Sequence, residues 1–363
     1  MEKINMVLKR TEKVCEIFVG LGLFDFLAED LKKRPLGRRL GIITDTRVET
    51  VLGNRLHKRL IRAGIKTDVI AIDPGEDSKQ WKTVQWIFER LIALGFDRKS
   101  ALIALGGGVL GDVTGFVASL YMRSIPYAQV PTTLLAQVDS CLGGKTGIDL
   151  PQGKNLLGTF YQPSRVYVDT SILGTLPYEE IQNGLAEVIK TAVVRDRGLF
   201  QLLENRHDAI VDEKRDALEE VVARCCRIKS DVVMADERDT GLRRILNFGH
   251  TVGHAIEAYT NYRVPHGMAV SMGMAAEAVL STRMKMLQPE EKQRVLQLLK
   301  RYDLPALIPA SYDTEKLIGI MHSDKKAEDG RIAVVLPKTI GDAMIMQSVP
   351  TLLIEEVIKE VQG

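Results

Sequence analysis

Three of the chain's six histidines fall in one stretch, LNFGHTVGHAIEAYTNYRVPHG, at positions 250, 254 and 266. Histidines gather when they share a metal, a phosphate or a proton, and each possibility requires different partners. His250 and His254 stand at i and i+4 on one face of an expected helix over 248–259, with Asn247 a turn earlier on the same side. His266 follows Tyr-Arg-Val-Pro and opens a second helix. H-T-V-G-H has the spacing of the zinc-peptidase H-E-x-x-H, but Thr251 replaces the glutamate that peptidase chemistry needs. A three-ligand zinc site stays open: two of these histidines and a carboxylate from another helix, with one position left for substrate. Glu187 in NGLAEVIK is such a carboxylate, because burial on an apolar helix face is costly without a cation. The alternative is a set of histidines that cap and line helix ends. The surrounding charge favours a site: Lys190 lies one turn after Glu187, Arg243 one turn before Asn247, and Lys229 is a third cation. A metal among lysine and arginine suits a substrate with more than one anionic group.

A second motif is ALIALGGGVLGDVTGF, where Gly106, Gly108 and Gly111 form G-x-G-x-x-G between an apolar strand and a helix. Such glycines let a diphosphate approach the backbone and the free N–H groups of the helix start. The match is weak alone. No acidic residue follows about 20 positions on, and the strand is the fourth, so an ordinary Rossmann half is not indicated. Glu76 in DPGEDSK, after a strand ending at Ile72, is the alternative ribose acceptor, or else part of a charged loop. In VPTTLLAQVDSCLGGKTGIDLPQGKN, Asp139, Lys145, Lys154 and Asn155 are expected on glycine-rich loops, where lysines suit phosphate or carboxylate.

These residues need elements to position them. Strands are expected over 14–19, 40–44, 67–72, 101–105 and 127–130, alternating with helices such as 48–63 and 79–94, which argues for βαβ units and a mostly parallel sheet. Asp45 is placed as a helix cap, with Gly64 and Gly95 after two helices. Beyond Leu176-Pro177 helical periods dominate, over 178–194, 212–234, 248–259, 267–286 and 289–302, with late strands at RIAVVLP and 343–346. The expected division is an α/β domain over 1–175 and a mainly α-helical domain over 176–363.

Composition limits the rest. A chain of 363 residues, 45% hydrophobic and 26% charged, with net charge +2, gives no reason to expect a nucleic-acid or membrane partner. The stretch AVSMGMAAEAVL is broken by Glu277 and reads as a buried helix, and the N-terminus lacks the apolar run of a signal peptide. Cys15, Cys141, Cys225 and Cys226 show no disulfide or zinc spacing, so a reduced, cytoplasmic protein is expected.

Taken together, PGEDSK, GGGVLGDVTGF, YMRSIPYAQVPTTLLAQVDS, GGKTGID, GKNLLGTFYQP, LAEVIK, LNFGHTVGHAIE, HG and DKK resemble the 3-dehydroquinate synthases, within the sugar-phosphate cyclases, over most of the chain. The resemblance implies a Rossmann-like NAD-binding domain, a helical metal- and substrate-binding domain, and a homodimer acting on a small-molecule sugar-acid phosphate. It implies Glu187, His250 and His266 as ligands of Zn2+ or Co2+, moving His254 to the substrate phosphate. Glu76 and Lys79 would face the adenosine ribose of NAD, the Gly106-Gly107-Gly108 loop its diphosphate, and Asp112, Thr132 and Thr133 its nicotinamide end. Asp45, Asp139, Lys145, Lys154 and Thr175 would complete the cofactor surroundings. Lys145, Asn155, Asn247, His254 and Lys326 would hold the phosphate, with Arg123 reaching that of a neighbouring subunit. Lys154, Lys229 and Arg243 would take the substrate carboxylate, with Asp139 and Lys190 near its hydroxyls. Asp139, Lys145, Lys190, Asn247 and His254 are the implied catalytic set.

The implied reaction converts 3-deoxy-D-arabino-heptulosonate 7-phosphate to 3-dehydroquinate and phosphate through transient oxidation, elimination, re-reduction and aldol closure. Two departures from the family pattern are Met268, where glutamate is usual, and Cys141, where serine is common. Related cyclases act on sugar phosphates without a carboxylate and have no use for the pair Lys229 and Arg243. An amino-dehydroquinate synthase keeps both anions, a metal-dependent NAD polyol dehydrogenase would release NADH, and a non-catalytic nucleotide binder would not need the metal triad.

Overall fold

The computed structural model describes residues 14–212, 215–323 and 332–363. Lys326, expected at the phosphate, lies outside the described residues. The strands in chain order are β1 (Glu16–Gly20), β2 (Leu40–Asp45), β3 (Thr67–Ile72), β4 (Ala101–Gly106), β5 (Tyr127–Pro131), β6 (Lys145–Leu150), β7 (Gly153–Phe160), β8 (Arg165–Asp169), β9 (Ile332–Thr339) and β10 (Asp342–Val349). Six of them form one parallel sheet in the order β1-β8-β5-β4-β2-β3. The side-chain period of two splits its apolar residues between faces. Ile42 and Ile103 pack with Leu27, Leu56 and Leu60 of the helices Leu23–Lys33 and Asn54–Arg62. Ile43 and Leu102 pack on the other side with Val84, Ile87 and Val113 of the helices Trp81–Ala93 and Gly108–Leu120. Coverage of both faces explains why β2 and β4 are buried along their whole length.

After β3 the chain returns to the opposite side of β2 to form β4. Connections on either side of that point diverge, so a crevice opens at the carboxyl ends of β2 and β4, where Asp45 and Gly106 stand.

In the helical half, Tyr178–Arg195 is buried on nearly every side and packs on the helices Arg215–Ala235 and His266–Arg283. The largest apolar cluster runs from Leu134 and Val166 through Leu185 and Ile189 to Val270 and Met274, continuous across residue 175. The amide N–H of Gly267 donates to the side chain of Asn183 at 2.5 Å, pinning the start of His266–Arg283 one turn from Glu187. The antiparallel pair β9–β10 packs beside that helix, which is buried over most of its length and includes Glu277 as expected.

Several expectations are corrected. Asn247 ends the 3-10 turn Leu242–Asn247, and Gly249 at φ 79 breaks the chain before the helix His250–Tyr259, so Asn247 does not share the histidine helix. Lys145, Lys154 and Asn155 lie not on loops but on the hairpin β6–β7, whose glycines hid the alternation. Asp139 belongs to a π-helical turn, Ala136–Ser140. The strand β8, the helix Leu23–Lys33 and a π-helical interruption at Glu49–Gly53 were not anticipated.

Candidate active site

Glu187 is 1% exposed on its helix, and His250 and His266 are the first residues of theirs. Glu187 Oε1 lies 3.6 Å from His250 Nε2 and 3.4 Å from His266 Nε2. These three ligand atoms all lie within 4.8 Å of one another. Each imidazole turns its other nitrogen to an acceptor: His250 Nδ1 to Phe248 O at 3.2 Å, and His266 Nδ1 to Glu257 Oε2 at 3.4 Å. With Nδ1 turned to these acceptors, Nε2 is the nitrogen left to hold a metal, in His266 once its second proton is displaced. Glu187 Oε1 is buried and, among the described residues, has no hydrogen-bond partner. A buried, ionised oxygen facing two ring nitrogens that can serve as ligands fits a divalent cation.

The titration of these groups shows how their charges balance. Burial opposes the Glu187 charge, but Lys190 and His266 outweigh it and hold the carboxyl down to about 2. Burial and then Lys190 push His250 well below its ordinary value, so it is neutral. Burial acts downward on His266 too, yet the carboxylates of Glu187 and Glu257 lift it to about 10. That proton supplies the positive charge that a metal ion would otherwise bring.

Beside the triad lies a cavity of about 610 Å³ lined by Asp112, Asp139, Lys145, Asn155, Lys190, Lys229, Arg243, Asn247, His250, His254 and His266, among others. Lys190 donates to Glu187 Oε2 and lies 3.8 Å from Asp139 Oδ1. Lys229 Nζ donates to Asp139 Oδ1 at 2.5 Å. Arg243, 4% exposed, directs Nη1 to Gly143 O at 3.0 Å and Glu237 O at 2.8 Å. Burial lowers its pKa, although Asp239 and Asp139 act the other way. Gly143 has φ 101, and a Cβ there would overlap Arg243 Nη2. The Gly-Gly before Lys145 therefore gives the guanidinium room.

The crevice of the sheet adjoins this cavity. Gly106 and Gly107 lead into the helix Gly108–Leu120, whose first turn has no side-chain cap. A Cβ on Gly106 would strike Leu110, and one on Gly107 would press on Thr133. Bare backbone followed by uncapped N–H groups forms a cradle that fits a diphosphate. Lys79 Nζ bridges Asp112 Oδ2 at 2.7 Å and Asn155 Oδ1 at 2.6 Å. Lys154 pairs with Glu76 Oε1 at 3.1 Å and does not line the cavity. Thr132 N–H donates to Gly106 O, and Thr133 Oγ1 accepts from Ala136 N–H. Asp45 caps the helical turn after β2 through Arg47 and Val48 N–H. Thr175 is exposed and bonds Ile172 O, away from the cavity lining. Arg123 is exposed on a turn where Met122, Arg123 and Ser124 all have positive φ.

Two residues escaped the sequence reading. Asp239 lines the cavity and takes the Lys145 ammonium; in ADERDTG it reads as part of a solvated charge run. Glu257 stands behind His266 and 3.9 Å from His254 Nε2. Its i+3 spacing from His254 was the available signal.

The family model described as 3-dehydroquinate synthase N-terminal matches residues 69–183, and that described as 3-dehydroquinate synthase C-terminal matches residues 184–327. A 3-dehydroquinate synthase of Thermodesulfovibrio yellowstonii is 43% identical over 95% of this chain and 96% of its own. That of Syntrophotalea carbinolica is 42% identical over 99% and 100%. Among solved structures, a 2-epi-5-epi-valiolone synthase from Streptomyces hygroscopicus with NAD+ and Zn2+ bound superposes with TM-score 0.89 at 29% identity, over 99% of each chain. A 2-deoxy-scyllo-inosose synthase complexed with carbaglucose-6-phosphate, NAD+ and Co2+ gives TM-score 0.84 at 26% identity over 96% of each. An iron-containing alcohol dehydrogenase, TM-score 0.67 at 16% identity over 98% and 99%, shares the fold alone. From two family models and near full-length relatives, the chain belongs to the 3-dehydroquinate synthase family.

Proposed function

We propose that this protein converts 3-deoxy-D-arabino-heptulosonate 7-phosphate to 3-dehydroquinate and phosphate, using NAD and a divalent metal catalytically. The observation that carries the proposal is the buried Glu187 Oε1 facing two imidazole nitrogens, beside a buried arginine whose guanidinium, among the described residues, bonds only to backbone carbonyls. When bound, NAD+ takes and returns one hydride, and the metal polarises the hydroxyls at the oxidised carbon.

The chain's own groups do the remainder. Glu187, His250 and His266 hold the ion, while Lys190 keeps Glu187 ionised and reaches the substrate hydroxyls with Asp139. Arg243 and Lys229 take the carboxylate; a buried guanidinium without an anion is costly, which supports a carboxylated substrate over a neutral sugar phosphate. Lys145, Asn155, Asn247 and His254 hold the phosphate. Its charge grows as the carbon–oxygen bond breaks, so fixed donors there favour the transition state.

Glu76, Lys79, Asp112, Thr132, Thr133 and the Gly106–Gly108 cradle form the cofactor side in this reading, with Asp45 and Thr175 at its margin. The division into a cofactor domain, 1–175, and a metal and substrate domain, 176–363, follows. So does a cytoplasmic homodimer, supported by free cysteines and by the exposed Arg123 on its strained turn. No helix among the described residues is long and apolar enough to cross a membrane.

The test is phosphate release from the heptulosonate phosphate with catalytic NAD+ and zinc, with and without chelator. Chelator-sensitive release of one phosphate per dehydroquinate supports the proposal. Steady NADH accumulation without phosphate would make the protein a dehydrogenase instead. Running the aminated substrate in parallel separates the two carboxylated alternatives.

A further inference from the structure

Lys154 makes two contacts that the proposed reaction does not explain. Its ammonium lies 3.1 Å from Glu76 Oε1 and 4.2 Å from the centroid of the Tyr262 ring. Glu76 follows the sheet strand β3, whereas Tyr262 sits in the connection between the two histidine-bearing helices, four residues before His266. One cation thus joins the cofactor wall to the segment that delivers a metal ligand.

The backbone at Tyr262 makes the ring more telling. Asn261 and Tyr262 both adopt left-handed conformations, φ 51 and 57, and Tyr262 N–H closes the turn on Glu257 O at 2.7 Å. Glycine adopts that conformation without penalty, whereas a bulky side chain there is strained. Tyr262 is also 48% exposed, so core packing does not account for it. What the ring does have is a lysine ammonium over its face, which a π-system attracts.

We infer that Tyr262 is a positioning residue for the dinucleotide: its ring holds Lys154, and Lys154 holds one oxygen of Glu76, leaving the other for the ribose hydroxyls. The inference rests on the reading of Glu76 as ribose acceptor. The contact needs an aromatic face rather than a hydroxyl, so Tyr262→Phe retains it and Tyr262→Leu does not.

The experiment is titration of NAD+ into zinc-loaded protein without sugar phosphate, by calorimetry. Tyr262→Leu raises Kd about two- to fivefold, as expected for a half-exposed cation–π contact, while Tyr262→Phe stays at the wild-type value. Lys154→Met, which leaves the loop's ring in place, raises Kd at least as much, and adding Tyr262→Leu to it has no further effect. Zinc content is measured on each variant; a Leu variant that loses zinc is set aside, and the Lys154→Met arm then decides by itself. A Leu variant equal to wild type, a Phe variant as weak as Leu, Lys154→Met without effect, or additive losses in the double variant overturn the inference alone. Wild-type protein that binds no NAD+ overturns this inference and the proposed function together.

Discussion

His266 Nε2 stands 3.4 Å from Glu187 Oε1, a buried oxygen with no hydrogen-bond partner among the described residues. His250 Nε2 completes the set from 3.6 Å, and both imidazoles give Nδ1 to other acceptors. Replacing His250 with alanine is expected to remove bound metal and turnover together. Metal analysis after dialysis, beside the phosphate-release assay, checks this; a metal-free variant with full activity contradicts the site.

Glu257 holds the far nitrogen of His266 and approaches His254. Its substitution by alanine is expected to lower zinc affinity about 10- to 100-fold, with most of kcat returning at saturating zinc. Competition against a chromophoric chelator measures the affinity. Unchanged affinity would show that the ring is oriented by packing alone.

Arg243 to alanine is expected to reduce kcat/KM for the carboxylated substrate on the order of 100-fold or more, since a buried charge-assisted contact is lost. Lysine should not restore it, because a single ammonium cannot replace a planar fork that already bonds Gly143 O and Glu237 O. Wild-type kinetics in either variant would reject the carboxylate assignment.

Gly143 has φ 101, and a side chain there would displace the Arg243 guanidinium. Gly143→Ala should cost roughly 1–3 kcal/mol of stability and also raise KM. Denaturant titration and steady-state kinetics read the two effects; a variant matching wild type in both would mean that the loop shifts freely.

Burial acts to raise the Asp139 pKa, but Lys229 and Lys190 outweigh it and bring it from 3.8 to about 2. The folded value is depressed, so the stabilisation is complete above the unfolded value and is lost as pH falls through about 2. In Lys229→Met the folded carboxyl rises back toward or above 3.8, so stability at neutral pH is lower and Asp139's share of the acid decline in urea midpoint shrinks or disappears. An acid decline as large as that of the wild type would show that Lys229 does not hold Asp139.

Much of the site was legible because its chemistry is local. His250 and His254 at helical spacing, Glu187 on an apolar face and a lysine directly after paired glycines are unusual wherever they fold. The parallel sheet followed from short apolar runs alternating with helices, and β2, β3, β4 and β5 lie close to where those runs predict. Glycine-rich text misled in the other direction: GGKTGID and GKNLLGTF form a hairpin whose glycines mask the strand period, so β6 and β7 read as loops.

By itself, the sequence determined which residue types were available and which helices and strands would carry them, because propensity and periodicity act over a few residues. It could not decide which histidine nitrogen faces Glu187, that Asn247 leaves the histidine helix at Gly249, or that Lys154 turns to Tyr262 rather than into the cavity. Those outcomes depend on how helices far apart in the chain cross, as at the Gly267–Asn183 contact, and on which buried charges compensate one another. Such compensation is a property of distances in space, and only the tertiary structure sets those distances.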